Sequence, residues 1–217
     1  MSDSKILKKD LFGEIRLIQR ENQPLIIRDC APAARGLGWL ARSLLRREAN
    51  ALAALSDLDG FAELHSVERD RLVREYMAGE PLHRNKSADR AYFKAAARLV
   101  RLMHRRGVVH NDLAKEPNLL VRADGSPAII DFQLAGHSQR RSKLFRLAAR
   151  EDLRHLAKHK RTYCPEDLTR REREMLENPS LPAQLWRRTV KPAYLFVTRR
   201  LLGWADREGA ADRGEVR

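Results

Sequence analysis

Residues 108–121 read Val-Val-His-Asn-Asp-Leu-Ala-Lys-Glu-Pro-Asn-Leu-Leu-Val, and residues 127–136 read Pro-Ala-Ile-Ile-Asp-Phe-Gln-Leu-Ala-Gly. Leu119 to Arg122 and Pro127 to Asp131 are short strands flanking the turn Asp124-Gly125. A hairpin of this kind brings Asn118, at the start of one strand, beside Asp131, at the end of the other. Amide and carboxylate oxygens are the ligands a hard divalent cation takes. Asp112, upstream of Asn118, is a group able to orient or deprotonate a hydroxyl. Phosphoryl transfer needs both provisions, since most of its catalysis is positioning and charge neutralisation.

Outward from this stretch the pattern changes from helix to strand. Upstream, Ser87 to Arg105 predicts a helix, with Ser87 as its cap, Asp89 in the first turn and Arg105-Arg106-Gly107 at its end. Val108-Val109 then leads into His110. Nearer the N-terminus, Glu14 to Gln19 and Pro24 to Asp29 predict two strands joined by Glu21-Asn22-Gln23. After Gly36 to Gly38, apolar residues recur at helical spacing from Trp39 to Leu55 (Leu40, Leu44, Leu45, Ala49, Leu52, Leu55). Phe61 to Ser66 and Leu72 to Met77 predict a further hairpin, and Ala78-Gly79 marks a boundary. Beyond Leu144 the chain reads as helical, broken at Pro165, Pro179, Pro182 and Pro192. The expected class is α+β in two lobes. Residues 1–78 form a small strand-rich N-lobe, 79–205 a mostly helical C-lobe carrying the catalytic loop, and 206–217 a polar tail.

His110-Asn111-Asp112 resembles the catalytic-loop triplet of kinases, Asn118 to Val121 the metal-binding asparagine and its strand, and Asp131-Phe132-Gln133 the magnesium motif. Over roughly residues 10–165 the chain resembles the protein-kinase-like superfamily. It looks closest to the small bacterial lipopolysaccharide-core and Kdo kinases, the RIO kinases, and choline or aminoglycoside phosphotransferases. The resemblance implies a two-lobed protein-kinase-like fold with a reduced N-lobe and an ATP- and Mg2+-dependent phosphotransferase. Asp112 and His110 would be the catalytic-loop residues, and Asn118 and Asp131 the metal ligands. Arg28, paired with Glu48 on the following helix, would stand where the family has its phosphate-binding lysine. The hinge, Glu75, Tyr76 and Met77, would meet the adenine ring, and Asp152 would prop the catalytic loop from the next helix.

Four departures accompany this pattern. No glycine-rich loop precedes the strand of Arg28, where only Gly13 is available, and no lysine lies between Lys9 and Lys86. The loop from Asp112 to Asn118 is one residue longer than in typical kinases, and Gln133 replaces the glycine after Asp-Phe. These motivate a second expectation, a weak or inactive pseudokinase serving as a nucleotide-sensing or regulatory module. The chain reaches Asp152 only 21 positions after Asp131, without an Ala-Pro-Glu clamp. That favours a sugar, a lipid-linked or another small acceptor over the Ser/Thr of a protein. Arg140, Arg141, Lys143, Arg146 and Arg150 form a basic ridge suited to an anionic acceptor.

Composition bounds the remainder. Hydrophobic residues make up 43% of 217, enough for a core. The 43 basic against 29 acidic residues give +14, which attracts polyanions. Nucleic acid is disfavoured as a partner, because no aromatic-laced basic motif or zinc pattern is present. Two cysteines match no disulfide framework, and the start of the sequence lacks a signal-peptide core. A cytoplasmic protein is expected. Leu185 to Trp204, mixing aromatics with arginines, would allow peripheral contact with the inner face of an anionic membrane.

Overall fold

A computed structural model of the chain describes residues 4–20, 23–85 and 88–178. Five antiparallel strands form the first sheet: β1 (Ser4–Asp10), β2 (Gly13–Arg20), β3 (Gln23–Asp29), β4 (Leu64–Val67) and β5 (Arg71–Glu75), in the order β1-β2-β3-β5-β4. The strand of Arg28 is therefore the third and not the second. The sequence pattern misses β1 because all of its residues but Asp10 are exposed, so no alternation marks it. Lys5, Lys8 and Lys9 on this edge disfavour pairing with another chain.

The helix α1 (Gly38–Leu55) begins one residue before the expected Trp39 and packs against the sheet. Its N-terminal part buries Ala41, Leu45 and Ala49 against Cys30 and Leu72. Its last turns place Leu52 and Leu55 in a second, larger cluster with Phe61, Phe93, Leu99, Met103, Ile129 and Phe132. One helix thus spans both cores and fixes Glu48 between them. At about 25 cal/mol per Å² of apolar area, burying a leucine side chain contributes roughly 2 kcal/mol, so α1 is anchored at both ends.

The second half contains β6 (Glu80–Pro81), α2 (Arg90–Arg105), β7 (Val108–Val109), β8 (Leu119–Val121), β9 (Pro127–Ile129), β10 (Gly136–His137), α3 (Lys143–Tyr163) and α4 (Arg170–Glu177). Strands β6, β8 and β9 make a small antiparallel sheet, and β7 pairs with β10. Asp89, not Ser87, caps α2, accepting a 2.9 Å hydrogen bond from the Tyr92 amide. Ser87 lies outside the described residues. Gly107 follows α2 at φ +76, and there Ser138 O approaches to 2.4 Å of where a Cβ would sit, so only glycine fits. Cys30 and Cys164 are buried and free. Among the described residues no helix is long and apolar enough to cross a membrane. The expected C-terminal membrane-surface helix and polar tail lie outside them.

Candidate active site

Strands β2, β3 and β5 roof a cleft whose floor is the β8–β9 hairpin. A cavity of about 200 Å³ between them is lined by Gly13, Ile15, Ile26, Arg28, Glu48, Arg74, Asn118, Ile130, Asp131 and Gln133, among others. Gly13 sits at φ +124, and a Cβ there would lie 2.1 Å from Asp29 O on β3. The β1–β2 turn closes over the roof only because that Cβ is absent.

Arg28 and Glu48 meet here. Arg28 Nη1 donates to Glu48 Oε2 at 2.7 Å, both groups being buried. Arg74 Nε, on β5, donates to the other carboxylate oxygen at 3.0 Å. Arg28 Nη2 donates to Gln133 Oε1 at 3.0 Å, and Gln133 Nε2 approaches Asp131 Oδ2 at 3.5 Å. Burial alone would lower the Arg28 pKa, but the adjoining Glu48 more than offsets this and raises it above its ordinary value. Sequence reasoning missed Arg74. Its signal is a charged residue on the strand face that Leu72 buries two positions earlier.

Asp131 has left-handed backbone at φ +67, as does Asn111 at φ +65. Such conformations cost of order 1–3 kcal/mol in a non-glycine residue. Here the backbone aims the Asp131 carboxylate into the cavity. Burial, reinforced by Glu48, raises the Asp131 pKa above the usual carboxylate range, and Arg28 and His110 only partly oppose this. A half-buried carboxylate with one long hydrogen bond fits a site meant for a cation. Asn118 Nδ2 donates to Asp112 O at 3.0 Å and to Asp112 Oδ2 at 3.3 Å, so its Oδ1 is the atom that would meet a cation. No cluster of three His, Cys, Asp or Glu that could hold a metal occurs among the described residues. A magnesium ion needs no such cluster, because it takes one or two protein oxygens and fills its octahedron with water and phosphate. The donors Asn118 and Asp131 fit that ion.

The loop from His110 to Asn118 is held from behind. Asp152, on α3 and buried, accepts from His110 N (2.9 Å), Asn111 N (3.0 Å) and His104 Nε2 (3.0 Å). His110 is itself fully buried and does not line the cavity. Its Nε2 donates to Ile130 O at 2.9 Å, and its Nδ1 accepts from Asp112 N at 3.2 Å. It therefore positions Asp112 against the β9 end. The extra loop residue is absorbed by a 3-10 turn, Glu116–Asn118. Glu116 turns inward and accepts from Tyr163 Oη at 2.7 Å, while His159 Nε2 donates to Leu113 O at 2.8 Å. Lys115 Nζ lies 3.1 Å from Asp112 Oδ2. Neither Asp112 nor the hinge residues Glu75, Tyr76 and Met77 line the cavity, and Arg74 stands at the hinge end. Of the basic ridge, Arg141, Arg146 and Arg150 donate to the backbone carbonyls of Arg105, Arg141 and Asn178.

A five-stranded antiparallel sheet with one helix, set over a helical half and sharing with it a cleft of paired cations and oxygen donors, is a protein-kinase-like fold. The chain belongs to the phosphotransferase enzyme family, whose model matches residues 27–175. Among solved structures it is similar to the Rio2 kinase from Chaetomium thermophilum, with a TM-score of 0.60 and 16% identity over 75% of this chain and 57% of that one. The chain thus spans just over half of the Rio2 chain, and at that identity the likeness shows the fold alone. No curated protein matches.

Proposed function

We propose that this chain is a magnesium-dependent phosphotransferase that moves the γ-phosphoryl group of a nucleoside triphosphate, ATP by the sequence resemblance, to an acceptor hydroxyl. The carrying observation is the buried 2.7 Å Arg28–Glu48 pair on the same cavity as Asn118 and Asp131. The acceptor oxygen bonds to the γ-phosphorus, the bond to the β–γ bridging oxygen breaks, and Asp112 takes the hydroxyl proton. Arg28 binds the phosphates, with Glu48 holding its guanidinium in place. Bound magnesium, held by Asn118 and Asp131, would neutralise charge on the phosphate oxygens. The acceptor is a sugar or lipid-linked hydroxyl, a reading supported by the short stretch between Asp131 and α3. Work at the cytoplasmic face of a membrane would suit such an acceptor.

The Asp131→Ala protein should lose magnesium-dependent phosphate transfer or release by about 100-fold or more, the scale of removing one charge-stabilising group. Turnover that persists in that variant would sink the assignment. One observation favours a second reading, a pseudokinase that senses nucleotide. Both terminal nitrogens of Arg28 are engaged by the protein itself, so phosphates must displace Gln133. A thermal shift at millimolar triphosphate without any phosphate transfer or release would favour that alternative.

A further inference from the structure

The phosphate end and the base end of the cleft are set by different strands. In the β3–β5 ladder Leu72 stands opposite Arg28, and Arg74 opposite Ile26. Arg74 therefore lies two residues nearer the segment that joins the two halves, at the position a nucleobase would reach if its phosphates met Arg28. Its side chain is largely buried and lines the cavity.

We propose that Arg74 makes the base end of the cleft select a 6-oxopurine, guanine or hypoxanthine, over adenine; this rests on the phosphotransferase reading given above, with a 6-oxopurine triphosphate in place of the ATP that the resemblance implies. Part of the backbone that would otherwise read the base is already committed, and the Met77 amide that remains is a further N–H donor. Glu75 N donates to Glu63 O at 2.9 Å, and Tyr76 N donates to Pro24 O at 3.1 Å. The acceptor Glu75 O takes a hydrogen bond from Arg74 Nη1 at 3.2 Å. Arg74 Nη2 has no hydrogen-bond partner among the described residues.

An incoming base thus meets N–H donors. The 6-amino group of adenine is also a donor, and its natural acceptor, Glu75 O, is already shared with the Arg74 guanidinium beside it. A 6-oxopurine presents O6 and N7, two acceptors spaced for the fork of an arginine. Glu48 holds Arg74 through Nε, so the guanidinium is fixed before the base arrives and little ordering is left to binding. A lysine at this position would carry the charge without the fork.

The test is calorimetric titration of the full chain with magnesium and the β,γ-imido analogues of GTP, ITP and ATP, for the natural sequence and for Arg74→Met and Arg74→Lys. The guanosine and inosine analogues should bind about tenfold or more tightly than the adenosine analogue. Arg74→Met and Arg74→Lys should each lose most of that preference. Adenosine binding as tight as guanosine would overturn the selection and leave the phosphotransferase reading standing. Guanosine binding without inosine binding would place the readout on the 2-amino group and overturn a 6-oxo contact. A preference unchanged in Arg74→Met would show that Arg74 only clamps Glu48. Binding of none of the three would overturn the selection together with the reading beneath it. Where a variant does not fold, the ratio in the natural sequence alone decides.

Discussion

Glu48 carries more of the cleft than a sequence reading assigns to it. A glutamate on an amphipathic helix with one candidate partner reads as half of an ion pair. In the structure its two carboxylate oxygens take Arg28 and Arg74 separately, one from each of two strands. Removing it should therefore do more than break one pair, because it leaves two guanidiniums uncompensated in a buried site. Glu48→Ala should lower the unfolding free energy by about 3–5 kcal/mol, the cost of an orphaned buried charge. Urea denaturation checks this. Added sulfate should restore part of the loss by standing between the two arginines. A loss below about 1 kcal/mol would mean that the cations find solvent when Glu48 is gone. Arg28 and Glu48 were legible together through their register in a known pattern. Arg74 and the Gln133 bridge were not, because each matters through a contact between elements distant in the chain.

At the scale of elements, α3 organises the loop from His110 to Asn118. Asp152 holds the amides of His110 and Asn111, His159 holds Leu113, and Tyr163 holds Glu116. Asp152 was legible from its place in a helix after Asp131-Phe132-Gln133. The other two were not, since a longer loop says that the chain must bulge without saying where it will be tied. The same helix carries a half-buried histidine with an acid liability. Burial, with the charges of Lys158 and Arg154, depresses the His155 pKa from 6.5 to about 4. A histidine depressed in the folded state contributes stability that is intact above the unfolded value and lost as pH falls through the folded one. Between pH 7 and pH 5 the protein should lose about 1–2 kcal/mol through this group. His155→Gln should flatten that part of the profile in urea titrations at the two pH values. An unchanged profile would assign the acid sensitivity to other groups.

For the whole molecule, the order of the motifs was enough to read the fold, because His110, Asp112, Asn118 and Asp131 lie within one short stretch whose strands and turns are local. The width and polarity of the cleft were not readable, since side chains from β2, β3, β5, α1 and the β8–β9 hairpin define them jointly. Charge shows the same division. The chain carries +14 overall. Yet Lys8, Arg28 and Arg74 in the cavity wall are outnumbered by Asp10, Glu14, Glu48 and Asp131. On the proposed reading, a triphosphate would be drawn by a long-range positive field toward a cavity that is locally short of positive charge, and magnesium would supply the remainder. The two contributions separate by rate. Exposed charges are screened over about 10 Å at 0.1 M salt, whereas a buried pair such as Arg28–Glu48 is screened much less. Raising ionic strength from about 0.05 to about 0.3 M should slow association of the magnesium triphosphate several-fold and leave its dissociation nearly unchanged. Stopped-flow binding with a fluorescent triphosphate measures both. Weakening carried instead by faster dissociation would place the salt-sensitive charges inside the cavity and remove the surrounding field as the source of attraction.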